Sequence, residues 1–324
     1  MLRPASFSLF QALLCASFAA PAAAADDYPN RPIRLIVPFA PGGGTDINAR
    51  ILSDPIGKTL GQTIVIDNRP GAGSSIGSDI AAKSVPDGYT LLLGTISLTI
   101  NPAVYKKLPF DAQRDLIPIT QVSDQPSILV VHPSLPAKTF QDFIALARAQ
   151  SGKVTFGSAG HGTGSHLATT LLMLNINAEG IHVPFKGTGP ALNALLSNEL
   201  TIYMSTFASA LPHVKSERLR PYAVTTSYRA GPLPDVPTLQ ESGMKDFEYA
   251  AWYGMFAPAG TPRHIIDKVY KATVGALESP MVKRLYIEQG LNAKPNTPAQ
   301  FAEYMASEKK KWASVVRRAN IQQL

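Results

Sequence analysis

The stretch Ile33-Arg34-Leu35-Ile36-Val37-Pro38-Phe39-Ala40-Pro41-Gly42-Gly43-Gly44-Thr45-Asp46 decides the fold. Its first five residues form an apolar run of strand length, stopped by Pro38, which cannot donate to a sheet ladder. Beyond the glycines, Ile47, Ile51, Leu52, Ile56 and Leu60 recur at helical spacing, and Pro55 is expected to kink that helix. Strand, glycine-rich loop and helix in that order open an α/β unit. Three successive glycines let the backbone approach a ligand. The unpaired N–H groups of the first helical turn, with the helix dipole, then favour an anion. A phosphate loop is excluded, because no Gly-Lys-Ser/Thr follows and the G-x-G-x-x-G spacing is absent.

A second loop of this kind is Gly157-Ser158-Ala159-Gly160-His161-Gly162-Thr163-Gly164-Ser165-His166, again between an apolar strand pattern and a helical one. Two such loops far apart in the chain predict two α/β halves facing one another over a cleft. The intervening sequence keeps the alternation. Strands or extended segments are expected at 63–66, 89–93, 117–122, 127–131, 154–156, 181–183, 200–204, 220–224 and 252–257, and helices at 75–83, 140–149, 166–174 and 190–196. Three helices at 262–277, 280–289 and 298–319 close the chain. Each opens with a proline preceded by Thr261, Ser279 or Thr297 as the expected N-cap.

Composition narrows the function. The 324 residues suffice for two ordinary domains, and 45% apolar against 16% charged residues supports a packed core. Gly 24 and Pro 27 are spread along the chain, which indicates tight loops and not a linker. The formal net charge is +7, yet there is no basic stripe or reader motif, so a nucleic-acid partner is not expected. One cysteine, Cys15, excludes a disulfide framework and a cysteine-based zinc site. Arg3, the Ala-rich stretch 5–20 and the site Ala23-Ala24-Ala25 read as a secretory signal over residues 1–25, cut before Asp26. The polar Ser6, Ser8, Gln11 and Ser17 argue against a membrane anchor, and Leu14 before Cys15 argues against a lipoprotein site.

Catalytic templates fit poorly. Gly73-Ser74-Ser75-Ile76-Gly77 matches G-x-S-x-G but follows a turn, not a strand. The histidines 132, 161, 166, 182, 213 and 264 include no H-x-x-x-H or H-E-x-x-H pair, so no metal site is expected. His166 is read as capping or packing at its helix start. Carboxylates are dispersed, so no acid/base pair emerges, and no catalytic residue or cofactor is expected.

The order Tyr28-Pro29-Asn30-Arg31-Pro32-Ile33, followed by Val37 through Asp46, resembles the start of mature Bug-family (TctC-like) proteins. These are periplasmic solute-binding components of tripartite tricarboxylate transporters. Asn68-Arg69-Pro70-Gly71-Ala72-Gly73, Pro86-Asp87-Gly88-Tyr89-Thr90-Leu91-Leu92 and Asn101-Pro102 continue the likeness. Val130-Val131-His132-Pro133, Val183-Pro184-Phe185-Lys186-Gly187, Ala210-Leu211-Pro212-His213 and Ala257-Pro258-Ala259-Gly260-Thr261-Pro262 carry it towards the C-terminus.

The resemblance implies an α/β, two-domain periplasmic-binding-protein (Venus flytrap, type II-like) fold with two interdomain crossings. Domain one would be 26–124 plus 247–324, and domain two 125–246. It implies a carboxylate gripped by Phe39, Ala40, Gly43, Thr45 and Asp46 on one side, partly through ordered water. Ser158, Gly160, Gly162, Thr163 and His166 would hold the other side, with Ser97, Lys186 and Gly187 at the rim. Many relatives carry Asp where Ser205 stands. An Asp there can hold an amino group, so Ser205 favours a plain carboxylate, aromatic acids included. The expected partners are a small organic acid and the large and small membrane subunits of a transporter, with the receptor a monomer in the periplasm. Two other readings stay open: a sensor subunit that presents the acid to a signalling partner, and an exported hydrolase using Ser75 or Ser158 with a histidine.

Overall fold

A computed structural model describes residues 28–318 together with Ile321 and Gln323. The expected signal segment, residues 1–25 with Cys15, lies outside the described residues. The chain opens with β1 (Ile33–Val37), α1 (Gly44–Leu60), β2 (Ile64–Asn68), α2 (Ser75–Ala82), β3 (Thr90–Thr95) and α3 (Ser97–Val104). The short α4 (Ala112–Asp115) leads into β4 (Leu116–Val131). Then come α5 (Phe140–Ala149), β5 (Val154–Ser158), α6 (Gly164–Asn175), β6 (Gly180–Pro184), α7 (Thr188–Leu196), β7 (Ile202–Thr206), α8 (Phe207–Lys215) and β8 (Arg220–Val224). The chain finishes with β9 (Ala250–Pro258), α9 (Arg263–Glu278), α10 (Pro280–Gln289), β10 (Asn292–Ala293) and α11 (Pro298–Arg318).

The two apolar segments expected at 117–122 and 127–131 are one strand, and that strand organises the molecule. The part of β4 from Leu116 to Pro126 pairs antiparallel with β9, which pairs with β3. Beyond β3 lie β1 and β2, all three parallel. From Ser127 onward β4 pairs instead with β7 on one edge and β8 on the other. β5 and β6 extend that second sheet in parallel. The two expected α/β halves are thus joined through β4. Among the described residues, no helix is long and apolar enough to cross a membrane.

Local chemistry accounts for most boundaries and corrects a few. α1 runs unbroken through Pro55. Ser279 accepts from the Val282 N–H and caps α10, and Thr297 accepts from the Gln300 N–H at the start of α11. Thr261 does not cap: α9 starts after Pro262, and the Thr261 hydroxyl donates to the Pro258 carbonyl at 2.8 Å. Helices α3 and α8, absent from the sequence expectations, carry Pro102 and Pro212 inside them.

Candidate functional site

The carboxyl ends of β1, β3, β5 and β7 point into the space between the sheets, the usual place for a ligand in a parallel α/β layer. A half-enclosed cavity lies there, lined mostly by buried residues. Phe39 and Gly43 line it from the β1–α1 loop, Gly44 and Thr45 from the start of α1, and Thr95, Ile96 and Ser97 from the β3–α3 junction. Ala159 and Thr163 line it from the β5–α6 loop, Gly164 and Ser165 from the start of α6, Thr188 from α7 and Thr206 from the end of β7. Ser127, Tyr249, Ala251, Trp252 and Tyr253 form the wall contributed by the shared strands and their approach. No lining residue carries a charged side chain.

Helix ends supply the polarity instead. Helices α1, α6 and α7 begin at the cavity behind Gly43, Thr163 and Gly187, and none of these residues makes a side-chain cap. Thr163 would be a good cap, but its hydroxyl donates to the Gly160 carbonyl at 2.6 Å. The first-turn N–H groups of α1 and α6, and those of Thr188 and Gly189 in α7, where Pro190 has none, are therefore left for an acceptor in the cavity, and the helix dipoles add positive potential. α3 and α8 also begin here, each with one early N–H already taken: Ser97 by the Thr95 hydroxyl, Ala208 by the Gln125 carboxamide oxygen.

Two glycines permit this approach. A Cβ on Gly44 would run into the Tyr253 hydroxyl and the Gln125 amide, and one on Gly164 into the Tyr249 hydroxyl. Gln125 donates to the Tyr253 oxygen at 2.5 Å, which leaves the phenol's own proton to donate elsewhere. Burial holds Tyr249 and Tyr253 far above the usual phenol range, so both remain neutral donors. The Trp252 indole N–H is buried without a hydrogen-bond partner among the described residues. The Trp252 ring itself packs edge-on against Phe301 and Tyr304 of α11, so the wall's donors to the cavity are the two phenols.

Of the residues expected at the site, Phe39, Gly43, Thr45, Ser97 and Thr163 lie on the cavity. The others support it or lie elsewhere. Asp46 accepts from the Gly42 N–H, Asn68 and Arg50. Burial alone would raise its pKa, but those hydrogen bonds outweigh it and hold the carboxylate below its ordinary value. Asp46 thus shapes the first loop. Ala40 donates its N–H to the Lys186 carbonyl at 3.0 Å, joining the two lips, while the Lys186 side chain faces solvent. Gly187 packs beside Ala40. Gly160 and Gly162 have positive φ and pack against Gly73 and Asn101 of the opposite lip. Ser205 is buried and donates to the Thr206 carbonyl, so Thr206 and not Ser205 reaches the cavity from β7.

Ser158 sits 2.5 Å from His182 Nε2. It is fully buried, and its oxygen is engaged by both the N–H and the carbonyl of Gly160. A substrate carbonyl has no path to it. Ser75 accepts from Asn101 and lies off the cavity. His166 does not cap its helix. It stacks on His182, centroids 3.9 Å apart, behind the second loop.

The aromatic wall was missed because Tyr249, Trp252 and Tyr253 belong to apolar, strand-like sequence that reads as core. Thr188 was legible in principle, since Gly187-Thr188 before a helix repeats the Gly-then-helix signal of the first loop.

Comparison with known proteins fits this geometry. The sequence profile of the tripartite tricarboxylate transporter family receptor matches residues 48–321. Protein BugT of Bordetella pertussis is 38% identical over 304 residues, 93% of each chain. The solved periplasmic binding protein BugD superposes with a TM-score of 0.89 at 32% identity, covering 92% of this chain and all of that one. An R. palustris protein solved with adipate gives 0.89 at 30% identity over 92% of this chain and 100% of its own. MatC from Rhodopseudomonas palustris, with bound malate, gives 0.85 at 32% identity over 89% and 100%. With the profile spanning most of its length and these relatives covering nearly all of it, the chain belongs to the tripartite tricarboxylate transporter receptor family.

Proposed function

We propose that this protein is an exported periplasmic receptor that holds a small organic carboxylate in the cavity and delivers it to the membrane subunits of a tripartite transporter. The observation that carries the reading is the meeting of three uncapped helix N-termini around a half-enclosed space with no charged side chain. An anion there is met by backbone N–H groups, phenols and short hydroxyls. The relatives solved with adipate and malate support an acid of that size. The lobes of this reading are 26–124 plus 247–324 and 125–246, with the signal segment cut before Asp26. Direct contacts between the lips, Ala40 to Lys186 and Tyr105 to His161, correspond to a closed form that opens to admit the ligand.

The test is a thermal-shift screen of the mature chain against mono-, di- and tricarboxylates, aromatic acids and nicotinate. A ligand at 100 times its dissociation constant adds about 2.7 kcal/mol of stability and raises the melting temperature visibly. Failure of every acid, with a neutral compound succeeding, contradicts the proposal.

A further inference from the structure

The second loop hides a cluster that the carboxylate reading does not use. His161 from the loop, His166 from the first turn of α6 and His182 from β6 each offer a ring nitrogen, and these atoms all lie within 4.8 Å of one another. None of the three lines the cavity. We propose that His161, His166 and His182 form a binding site for one divalent transition-metal ion of the zinc class.

The donor chemistry selects that class. Three imidazoles with no carboxylate or thiol in the set suit Zn²⁺, Ni²⁺ or Cu²⁺ and not the oxygen-seeking Ca²⁺ or Mg²⁺. Nitrogens bound tetrahedrally at 2.0–2.1 Å from zinc stand about 3.4 Å apart. His166 and His182 lie stacked and nearly parallel, 3.9 Å apart, so a shared ion requires one of them to turn out of the stack as well as a rotation of the half-buried His161 on its glycine-flanked loop. A fourth position is left to water, reached from the solvent side of His161 and His182.

The surroundings prepare the rings as ligands. Ser158 holds His182 Nε2 at 2.5 Å and so fixes the orientation of that ring. With Nε2 engaged by Ser158, Nδ1 is the His182 nitrogen left for a metal ion, the ring being oriented by an outer partner as in many metal-binding histidines. His166 Nδ1 lies 3.4 Å from the Gly162 N–H, beyond the usual 2.7–3.2 Å for such a bond, so that contact ties the ring only weakly. Burial, and then the neighbouring imidazoles, hold His166 and His182 well below the ordinary histidine range, so neither must lose a proton at neutral pH to bind a cation.

The experiment is a zinc titration of the untagged chain at neutral pH against a chromophoric competitor, repeated on His161→Asn and His182→Gln. The expected result is one zinc per chain, with affinity reduced at least tenfold in each variant. No zinc binding, or binding equal in parent and variants, overturns the proposal. Copper(II) loaded onto the parent chain covers the case in which a variant fails to fold. Nitrogen hyperfine structure from three imidazoles in its spin-resonance spectrum supports the site, and an oxygen-only spectrum overturns it.

Discussion

Helices that begin at the cavity and helices that begin at the surface are finished differently. At the surface, Asp111 accepts from Gln113 and Arg114 at the start of α4, and Thr139 with Asp142 makes a full capping box on α5. Ser279 and Thr297 do the same work for α10 and α11. At the cavity, α1, α6 and α7 start behind Gly43, Thr163 and Gly187 with no side-chain cap. α2 and α9 are also uncapped, at Ser74 and Pro262, but neither reaches the cavity. A side-chain cap satisfies a helix end for folding. An uncapped end at a half-enclosed space keeps its donors for a ligand.

The largest expected effect comes from crowding the uncapped ends. Gly44→Ala and Gly164→Ala push a methyl into Tyr253 with Gln125, and into Tyr249, respectively. Each is expected to weaken acid binding by more than a hundredfold by calorimetry and to cost about 1–3 kcal/mol of stability through overpacking. Unchanged affinity in both would break the comparison.

Acid sensitivity is next in size and comes from the imidazoles behind the second loop. His166 is pushed down to about 4 and His182 to about 3, both mainly by burial. Between about pH 6.5 and 4 the unfolded chain therefore holds more protons at these rings than the folded chain. Their contribution is present above pH 6.5 and is lost as the pH falls through that window, on the order of 3 kcal/mol for His166. Asp46, with its pKa lowered, contributes stability that is fully present across this window and is lost only as the pH falls below the usual carboxylate range. Denaturant unfolding with a chelator present should show a steep acid limb for the parent and a shallower one for His166→Gln.

Removing a surface cap gives the converse result. Thr139→Ala is expected to cost about 1 kcal/mol of stability and leave acid affinity within twofold. The smallest effect is at Arg50, whose guanidinium is mostly exposed and pairs with Asp46. Arg50→Ala should weaken binding less than threefold, whereas Gly43→Val should weaken it at least tenfold. A dominant loss from Arg50→Ala would show that a positive side chain holds the acid.

What the sequence revealed follows from where the information lies. Loops after strands announce themselves through glycine and proline, so Phe39, Gly43, Thr45 and Thr163 were legible at the cavity. Ser158 and His166 sit in or beside an equally legible loop but turn to its rear face, towards His182, while Gly160 meets Gly73 of the opposite lip, a distinction that only the packing makes. Tyr249, Trp252 and Tyr253 were hidden because an aromatic residue in a strand has the same sequence signature whether it faces core or ligand. β4 was read as two segments because Pro126 stands between them, yet its backbone still pairs with Ala250. His182 lies sixteen positions beyond His166, and only the parallel pairing of β5 with β6 brings it to Ser158 and the other imidazoles.

The central claim is that the cavity selects negative charge through helix ends and not through charged side chains. Calorimetry with the untagged mature chain tests it most directly, comparing adipate with hexanediamide, its neutral counterpart of nearly the same shape. If adipate is not the preferred acid, the best acid of the thermal screen is paired with its own diamide or amide. The account predicts binding of the acid and at least a hundredfold weaker binding of the amide, a difference of about 2.7 kcal/mol. Equal affinity for both would contradict it, because uncapped N–H donors and helix dipoles would then make no distinction between an anion and a neutral acceptor.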